Sequence, residues 1–180
     1  MRAEDIPDAV CWHEGMPLSP HHFQQQSLRS ETLAAYLARA GHPLGWGVLN
    51  LSFDEPALRA GMVRILALDA IMPDGLFVHH TPSIGNLELN LINSMAGSPP
   101  DGRPITVSIA VPSRLSATSP ESSGARYRSA LGAPVVDLTT GDNAMELPVW
   151  RPTLRLVAND EGGALVRLPL VRLSARGGGY

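Results

Sequence analysis

The sequence predicts a mainly β protein, namely a β-sandwich with one N-terminal helix. Apolar and small polar residues alternate strictly through residues 105–111, and the same alternation runs through residues 87–91. A period of two is typical of a strand with one buried and one exposed face. The three- to four-residue spacing of an amphipathic helix is convincing only in residues 20–40. Many short strands separated by turn residues favour a sandwich or a barrel.

The helix is predicted from its two ends and from its apolar spacing. Ser19 suits the N-cap, because its hydroxyl can accept a backbone N–H, and Pro20 suits the first helical position. Leu33 and Leu37 lie one turn apart, and Gly41 supplies a stop. Upstream, residues 9–12 are expected to form a short strand.

Short apolar runs with turn residues between them follow the helix. Pro73-Asp74-Gly75 is a clear turn signal between two of the runs. Pro169 lies inside the last run and predicts an edge strand or a bulge there, because proline cannot donate to a ladder. The candidate strands are residues 48–53, 62–68, 76–79, 87–91, 105–111, 135–138, 154–157 and 165–173.

The composition excludes several kinds of enzyme and partner. All 14 basic residues are arginine, so the chain lacks the lysine of a P-loop and the amine of a Schiff-base enzyme. A net charge of −3 gives no electrostatic reason to expect nucleic acid as a partner. The single cysteine, Cys11, excludes an internal disulfide, and we expect its thiol to be buried. Neither a signal peptide nor a run of about 20 apolar residues is present, which predicts a cytoplasmic protein.

Two other functions remain as alternatives. A metal-dependent hydrolase would use His13, Glu14 and His22, but the histidine spacing is not that of a zinc site. A β-sandwich carbohydrate-binding module would need exposed aromatic residues around a groove, and aromatic residues make up only 5% of the chain. We expect no catalytic residue, no metal and no cofactor.

The segment of residues 10–26 resembles the N-terminus of the TssK family, the baseplate subunits of bacterial type VI secretion systems. Weaker similarities to the same family follow in order at residues 44–48, 66–77, 127–129, 136–141 and 165–172. The family-like positions of the first segment are Trp12, Glu14, Gly15, Met16, Leu18, Pro20, His22, Phe23 and Gln24.

The resemblance implies a non-enzymatic structural protein. Residues 1–175 would form the shoulder domain, a β-sandwich like the shoulder of phage receptor-binding proteins, and residues 176–180 would begin a linker to a neck and a head. TssK-like proteins form trimers whose shoulder attaches to the baseplate wedge subunits TssF and TssG. The head, absent here, reaches the inner-membrane complex, so the protein would work at the cytoplasmic side of the inner membrane.

Two roles are expected for the family-like segment, and both remain open. It builds the corner between strand and helix, or it contacts a partner protein. In either case we expect Trp12, Met16, Leu18 and Phe23 to be packing anchors. Burial of the two rings predicts a cost of about 3–5 kcal/mol for truncation to alanine. The polar candidates for hydrogen bonds that hold the turn or face a partner are Glu14, His22 and Gln24.

Overall fold

A computed structural model describes residues 3–91, 104–113, 124–159 and 164–174. Within these residues the protein has one long helix, two short helical segments and nine strands. The short segments are a 3₁₀ turn at Ala3–Asp5 and α2 at Glu55–Arg59, while the long helix, α1, is Pro20–Gly41. The strands are β1 (Gly47–Phe53), β2 (Met62–Ile71), β3 (Phe77–His80), β4 (Glu88–Asn90), β5 (Ile105–Pro112), β6 (Tyr127–Val135), β7 (Met145–Pro152), β8 (Arg155–Ala158) and β9 (Leu165–Leu173).

Two antiparallel sheets share one hydrophobic core. The first has the order β1-β2-β3, with β4 pairing with the first part of β2, and the second has the order β8-β5-β9. Leu68 and Val78 from the first sheet, and Val107 and Ile109 from the second, are all 0% exposed in the same cluster. Each such side chain contributes about 1.5–3 kcal/mol through burial. The prediction of a mainly β protein with one main N-terminal helix is confirmed.

Strand β5 differs from its prediction, because it is buried on both faces. The alternation in residues 105–111 predicted one exposed face, yet Ser108 and Ala110 are 4% and 0% exposed. Ala110 lies directly opposite Arg155 on β8 and Arg167 on β9. A small side chain between two longer neighbours on flanking strands has little surface left for water. Small residues in an alternating pattern therefore need not lie on an exposed face.

The bulge predicted at Pro169 is present. Val171 pairs with Val107, and Pro169 pairs with Ser108, so Leu170 is an extra residue in β9. Strand β9 is also an edge of its sheet, where a missing N–H is tolerated.

Strands β6 and β7 form a separate two-stranded hairpin that the sequence did not predict as such. The expected strand at residues 135–138 is wrong beyond Val135, where β6 ends. Asp137 forms a tight turn instead, because its Oδ1 accepts backbone N–H groups of Thr139 and Thr140 at 2.7 and 3.1 Å. These hydrogen bonds, that of Thr139 first, lower the pKa of Asp137. Such local bonds compete with strand pairing.

The predicted start and end of α1 are confirmed, with Ser19 as the N-cap and Gly41 as the last residue. The expected strand at residues 9–12 is wrong, since this segment is irregular and pairs with no strand among the described residues. Cys11 is exposed, so the prediction of a buried thiol is also wrong. The Nη1 of Arg39 donates to the carbonyl of Pro73 at 2.6 Å, which holds the end of the helix against the β2–β3 turn.

A buried ion pair connects that turn to the rest of the sandwich. The Nη2 of Arg126 donates to Oδ2 of Asp74 at 2.6 Å, and its Nη1 donates to the carbonyl of Pro112 at 2.7 Å. The Arg126 side chain is only 6% exposed. One side chain therefore ties the β2–β3 turn to the end of β5 and the start of β6.

Candidate protein-interaction surface

The family-like segment folds into a turn that returns the chain onto the first half of α1. The backbone N–H of Met16 donates to the carbonyl of His13 at 3.3 Å. Gly15 has a φ of 78°, a left-handed conformation that favours glycine. The identity of Gly15 therefore has a backbone reason, and its predicted role in forming the corner fits this geometry.

Trp12 contacts the helix with both its ring and its nitrogen. Its ring centroid lies 5.8 Å from that of His22 and 5.9 Å from that of Phe23. Its Nε1 donates to Oε1 of Gln26 at 3.0 Å. We call Trp12, His22 and Phe23 the aromatic corner. Ring separations in this range are those of favourable aromatic pairs.

His22 also caps the helix. The backbone N–H of Ser19 donates to Nδ1 of His22 at 3.1 Å, and the backbone N–H of His22 donates to the carbonyl of Ser19 at 3.1 Å. In a capping box this third helical position is usually Glu or Gln. Because Nδ1 accepts a hydrogen bond, the ring hydrogen of neutral His22 is on Nε2. The prediction that His22 holds the turn agrees with this contact.

The corner is more exposed than expected. Trp12 and Phe23 are 45% and 55% exposed, Leu18 is 66% exposed, and only Met16 is half-buried. The expected burial of the two rings is therefore wrong in the isolated chain, because they pack on one side against a polar stretch of helix. Their truncation should cost about half the value for a fully buried ring, or about 2 kcal/mol.

The remaining family-like residues face solvent. Pro20 occupies the first helical position and is exposed. Glu14 and Gln24 are also exposed, and within the described part of the chain neither side chain has a hydrogen-bond partner. Of the three polar candidates, only His22 holds the turn. Contact with a partner remains a prediction for all three.

Two grooves run along α1 and meet at Trp150, which sequence reasoning did not connect with the corner. The first, of about 700 Å³, extends from Leu18 and Phe23 to β7. The second, of about 560 Å³, lies between the second half of α1 and the β2–β3 turn. The rings of Tyr127 and Trp150 stack at 5.6 Å along it. No local signal marks these grooves, because their walls come from segments far apart in the chain.

The described ranges contain a histidine–carboxylate pair but no cluster of metal-ligating side chains. No group of three or more His, Cys, Asp or Glu side chains there could hold a metal ion. The Nδ1 of His79 lies 2.6 Å from Oδ1 of Asp69, but within the described residues no serine, threonine or cysteine side chain is hydrogen-bonded to the other ring nitrogen of His79, where a nucleophile would lie. The hydrogen bond from His79, followed by that from Asn50, lowers the pKa of Asp69. Across the described segments, no helix is long and apolar enough to span a membrane.

Comparison with known proteins agrees with the resemblance seen in the sequence. Residues 22–180 match the family T6SS_VasE, described as bacterial type VI secretion proteins that include EvfL, ImpJ and VasE. The baseplate component TssK1 of Pseudomonas aeruginosa is 39% identical over 66 residues, which are 37% of this chain and 15% of TssK1. The match to the family model begins at His22, so most of the corner turn lies outside it.

Solved TssK structures share the fold. A crystal structure of TssK has a TM-score of 0.75 at 28% identity and covers 94% of this chain and 40% of its own. A chain of a TssK-TssF-TssG baseplate subcomplex has a TM-score of 0.78 at 24% identity and covers 95% of this chain and 57% of its own. The chain therefore spans only about half the length, or less, of these relatives. Since the family model covers nearly all of the sequence, the chain belongs to the T6SS_VasE family of bacterial type VI secretion proteins.

Proposed function

We propose that this chain is the shoulder part of a TssK-like connector in a type VI secretion baseplate, and that it attaches to the wedge subunits TssF and TssG. The observation that carries the proposal is the family match over residues 22–180. The fold shared with a TssK-TssF-TssG subcomplex supports it. Residues 1–175 form the shoulder, and residues 176–180, which lie outside the described residues, lead to the neck and head.

The chemistry of the proposed function is burial of apolar side chains against other proteins. Phe23 and Trp150 are 55% and 53% exposed on either side of the groove between α1 and β7. Aromatic residues that gain burial in a pocket are the typical source of binding energy at protein interfaces. The aromatic corner therefore contacts a partner in addition to building the turn. Nucleic acid is not a partner, and the protein has no enzymatic activity.

The full-length connector is a trimer at the cytoplasmic side of the inner membrane, and its head binds the inner-membrane complex. In residues 1–180 taken alone, contacts between copies would come from the sandwich and the helix. The isolated chain should then be a monomer, or a monomer in equilibrium with a trimer, at modest concentration. Analytical ultracentrifugation over a concentration series measures this equilibrium.

Co-purification with TssF and TssG from the same organism tests the proposal. The tagged chain should retain both subunits and should not retain the inner-membrane complex. If TssF and TssG pass through while the membrane complex is retained, the chain has been assigned to the wrong end of the connector.

A further inference from the structure

Two arginines face each other across the β6–β7 hairpin, and neither pairs with a carboxylate of the residues that the structure describes. Arg128 and Arg151 are direct partners in the antiparallel ladder. In the described residues their guanidinium groups donate only to backbone carbonyls, from Nη2 of Arg128 to Ile84 and from Nη2 of Arg151 to Leu131, both at 3.3 Å. Like charges directly opposite each other destabilise a strand pair. A bound anion would remove this repulsion.

The two arginines open onto a pocket of about 560 Å³ between the hairpin and β3. We call it the basic pocket, and its polar lining includes His79, His80, Asn86, Arg128, Arg151 and Thr153. No aspartate or glutamate is among the described residues that line it. The wall therefore carries two arginines, and the Asp69 carboxylate behind His79 is already hydrogen-bonded to His79 and Asn50.

The rest of the pocket wall is mostly apolar or buried. His80 is 4% exposed and lies on the buried face of β3 together with Val78, so its Nε2 is out of reach of a ligand in the pocket. Phe77 and Leu154 supply apolar wall beside the two arginines. Two guanidinium groups beside an apolar wall suit a ligand with an anionic end on an apolar stem.

We propose that the basic pocket binds the carboxylate of an acidic side chain on a partner protein. A guanidinium fork matches a carboxylate with two parallel N–H···O bonds, which are among the stronger hydrogen bonds in proteins. The apolar walls accept the methylene groups of the side chain. A single pocket with two arginines differs from the extended basic surface that tracks a nucleic-acid backbone. That the carboxylate belongs to a protein rests on the proposed function, whereas the anion site rests on the pocket itself.

Titration with two capped tripeptides tests the inference. Acetyl-Leu-Glu-Leu-amide should produce saturable NMR shifts of the His79 ring signals, and acetyl-Leu-Gln-Leu-amide should bind at least about tenfold more weakly. Arg128→Gln and Arg151→Gln should each weaken binding of the glutamate peptide by about tenfold or more, the loss expected for one charged hydrogen-bonded contact. Arg59→Gln is the matched control, because its side chain is 78% exposed and pairs only with Glu55. It should bind as wild type does.

Each other outcome overturns the inference. It fails if no saturable shift occurs up to about 10 mM glutamate peptide, if both peptides bind equally, or if the arginine variants bind as well as wild type. Inorganic phosphate is the third probe, and tighter binding of phosphate than of the glutamate peptide contradicts a protein carboxylate as the ligand. Wild-type capture of TssF and TssG, measured separately, reports on the proposed function. The pocket alone is refuted when capture is intact and the peptide does not bind.

Discussion

Replacing Arg126 with methionine should be among the most destabilising single changes in this chain. The substitution removes the hydrogen bonds to Asp74 at 2.6 Å and to the carbonyl of Pro112 at 2.7 Å. It also removes a cation that lies 5.7 Å from the centre of the Tyr127 ring. The β2–β3 turn, the end of β5 and the start of β6 would then no longer be connected through one side chain.

The size of the loss in stability depends on the Asp74 carboxylate, which stays in the protein without its partner. Removing one partner of a buried ion pair costs about 3–5 kcal/mol, because the other charge remains without compensation. The Asp74 side chain is 21% exposed, and its Oδ1 still accepts the N–H of Leu76 at 3.3 Å. Water can therefore reach part of the freed carboxylate, so we expect the low end of this range, about 3 kcal/mol. A typical domain has only about 5–15 kcal/mol of stability in total.

Urea unfolding followed by tryptophan fluorescence and circular dichroism measures the change. Arg59→Met is the matched control, since it breaks only an exposed pair with Glu55 at 3.7 Å and should cost about 0.5 kcal/mol or less. Asp74→Leu and the double variant complete a mutant cycle, which should show a coupling energy of about 1–3 kcal/mol. A cost below about 1 kcal/mol for Arg126→Met, or purely additive single changes, would refute the reasoning.

Three further predictions follow from local contacts. His22→Ala should lower the free energy of unfolding by about 1 kcal/mol because the Ser19 N–H loses its acceptor. His22→Gln should lower it less, because glutamine restores the capping box. Chemical denaturation of the two variants measures the difference. Gly15→Ala should destabilise the protein by about 1 kcal/mol because the φ of Gly15 is 78°. Gly41 has open space around it and no positive φ, so Gly41→Ala should be neutral or stabilising. Equal effects of the two variants in thermal unfolding would contradict this. Burial lowers the pKa of His80, so as pH falls the unfolded chain binds this proton before the folded chain does. Stability should therefore fall as pH drops below about 6.5. In thermal unfolding, His80→Gln should lose less stability over that pH window, and a loss as large as that of wild type would count against this assignment.

The helix could be predicted from the sequence because its signals are local. Ser19 and Pro20 start it and Gly41 ends it, and each acts within one turn of its own position. The strands of the shared core could also be predicted, since alternation of apolar and polar residues is expected when one face of a strand is buried. Strand β5 shows the limit of that reasoning, because neighbouring side chains decided how much of Ala110 meets water.

Strands β6 and β7 could not be predicted in the same way. They pair only with each other, and most of their residues are exposed, so no buried face imposes a period of two. The Arg126–Asp74 pair joins residues 52 positions apart, and nothing in the neighbourhood of either residue announces the other. The basic pocket depends on the same hairpin and was equally hidden.

The identities of the corner residues could be read from the sequence, but their exposure could not. The family-like pattern identified Trp12 and Phe23, but it did not show what covers them. In the isolated chain they cover each other and part of α1, and about half of each ring remains exposed. A family-like sequence pattern is compatible with packing and with partner contact alike, so it does not predict how exposed a residue is.

The affinity of this chain for TssF and TssG is the measurement that tests the account most directly. We predict that the wild-type chain binds these subunits, that Phe23→Ala binds at least about tenfold more weakly while remaining folded, and that Leu138→Ala binds like wild type. Leu138 suits the control because it is 99% exposed on the turn after β6, away from the corner and its grooves. A wild-type chain that does not bind TssF and TssG would contradict the proposed function. Wild-type affinity in Phe23→Ala would contradict the assignment of the aromatic corner as its binding surface.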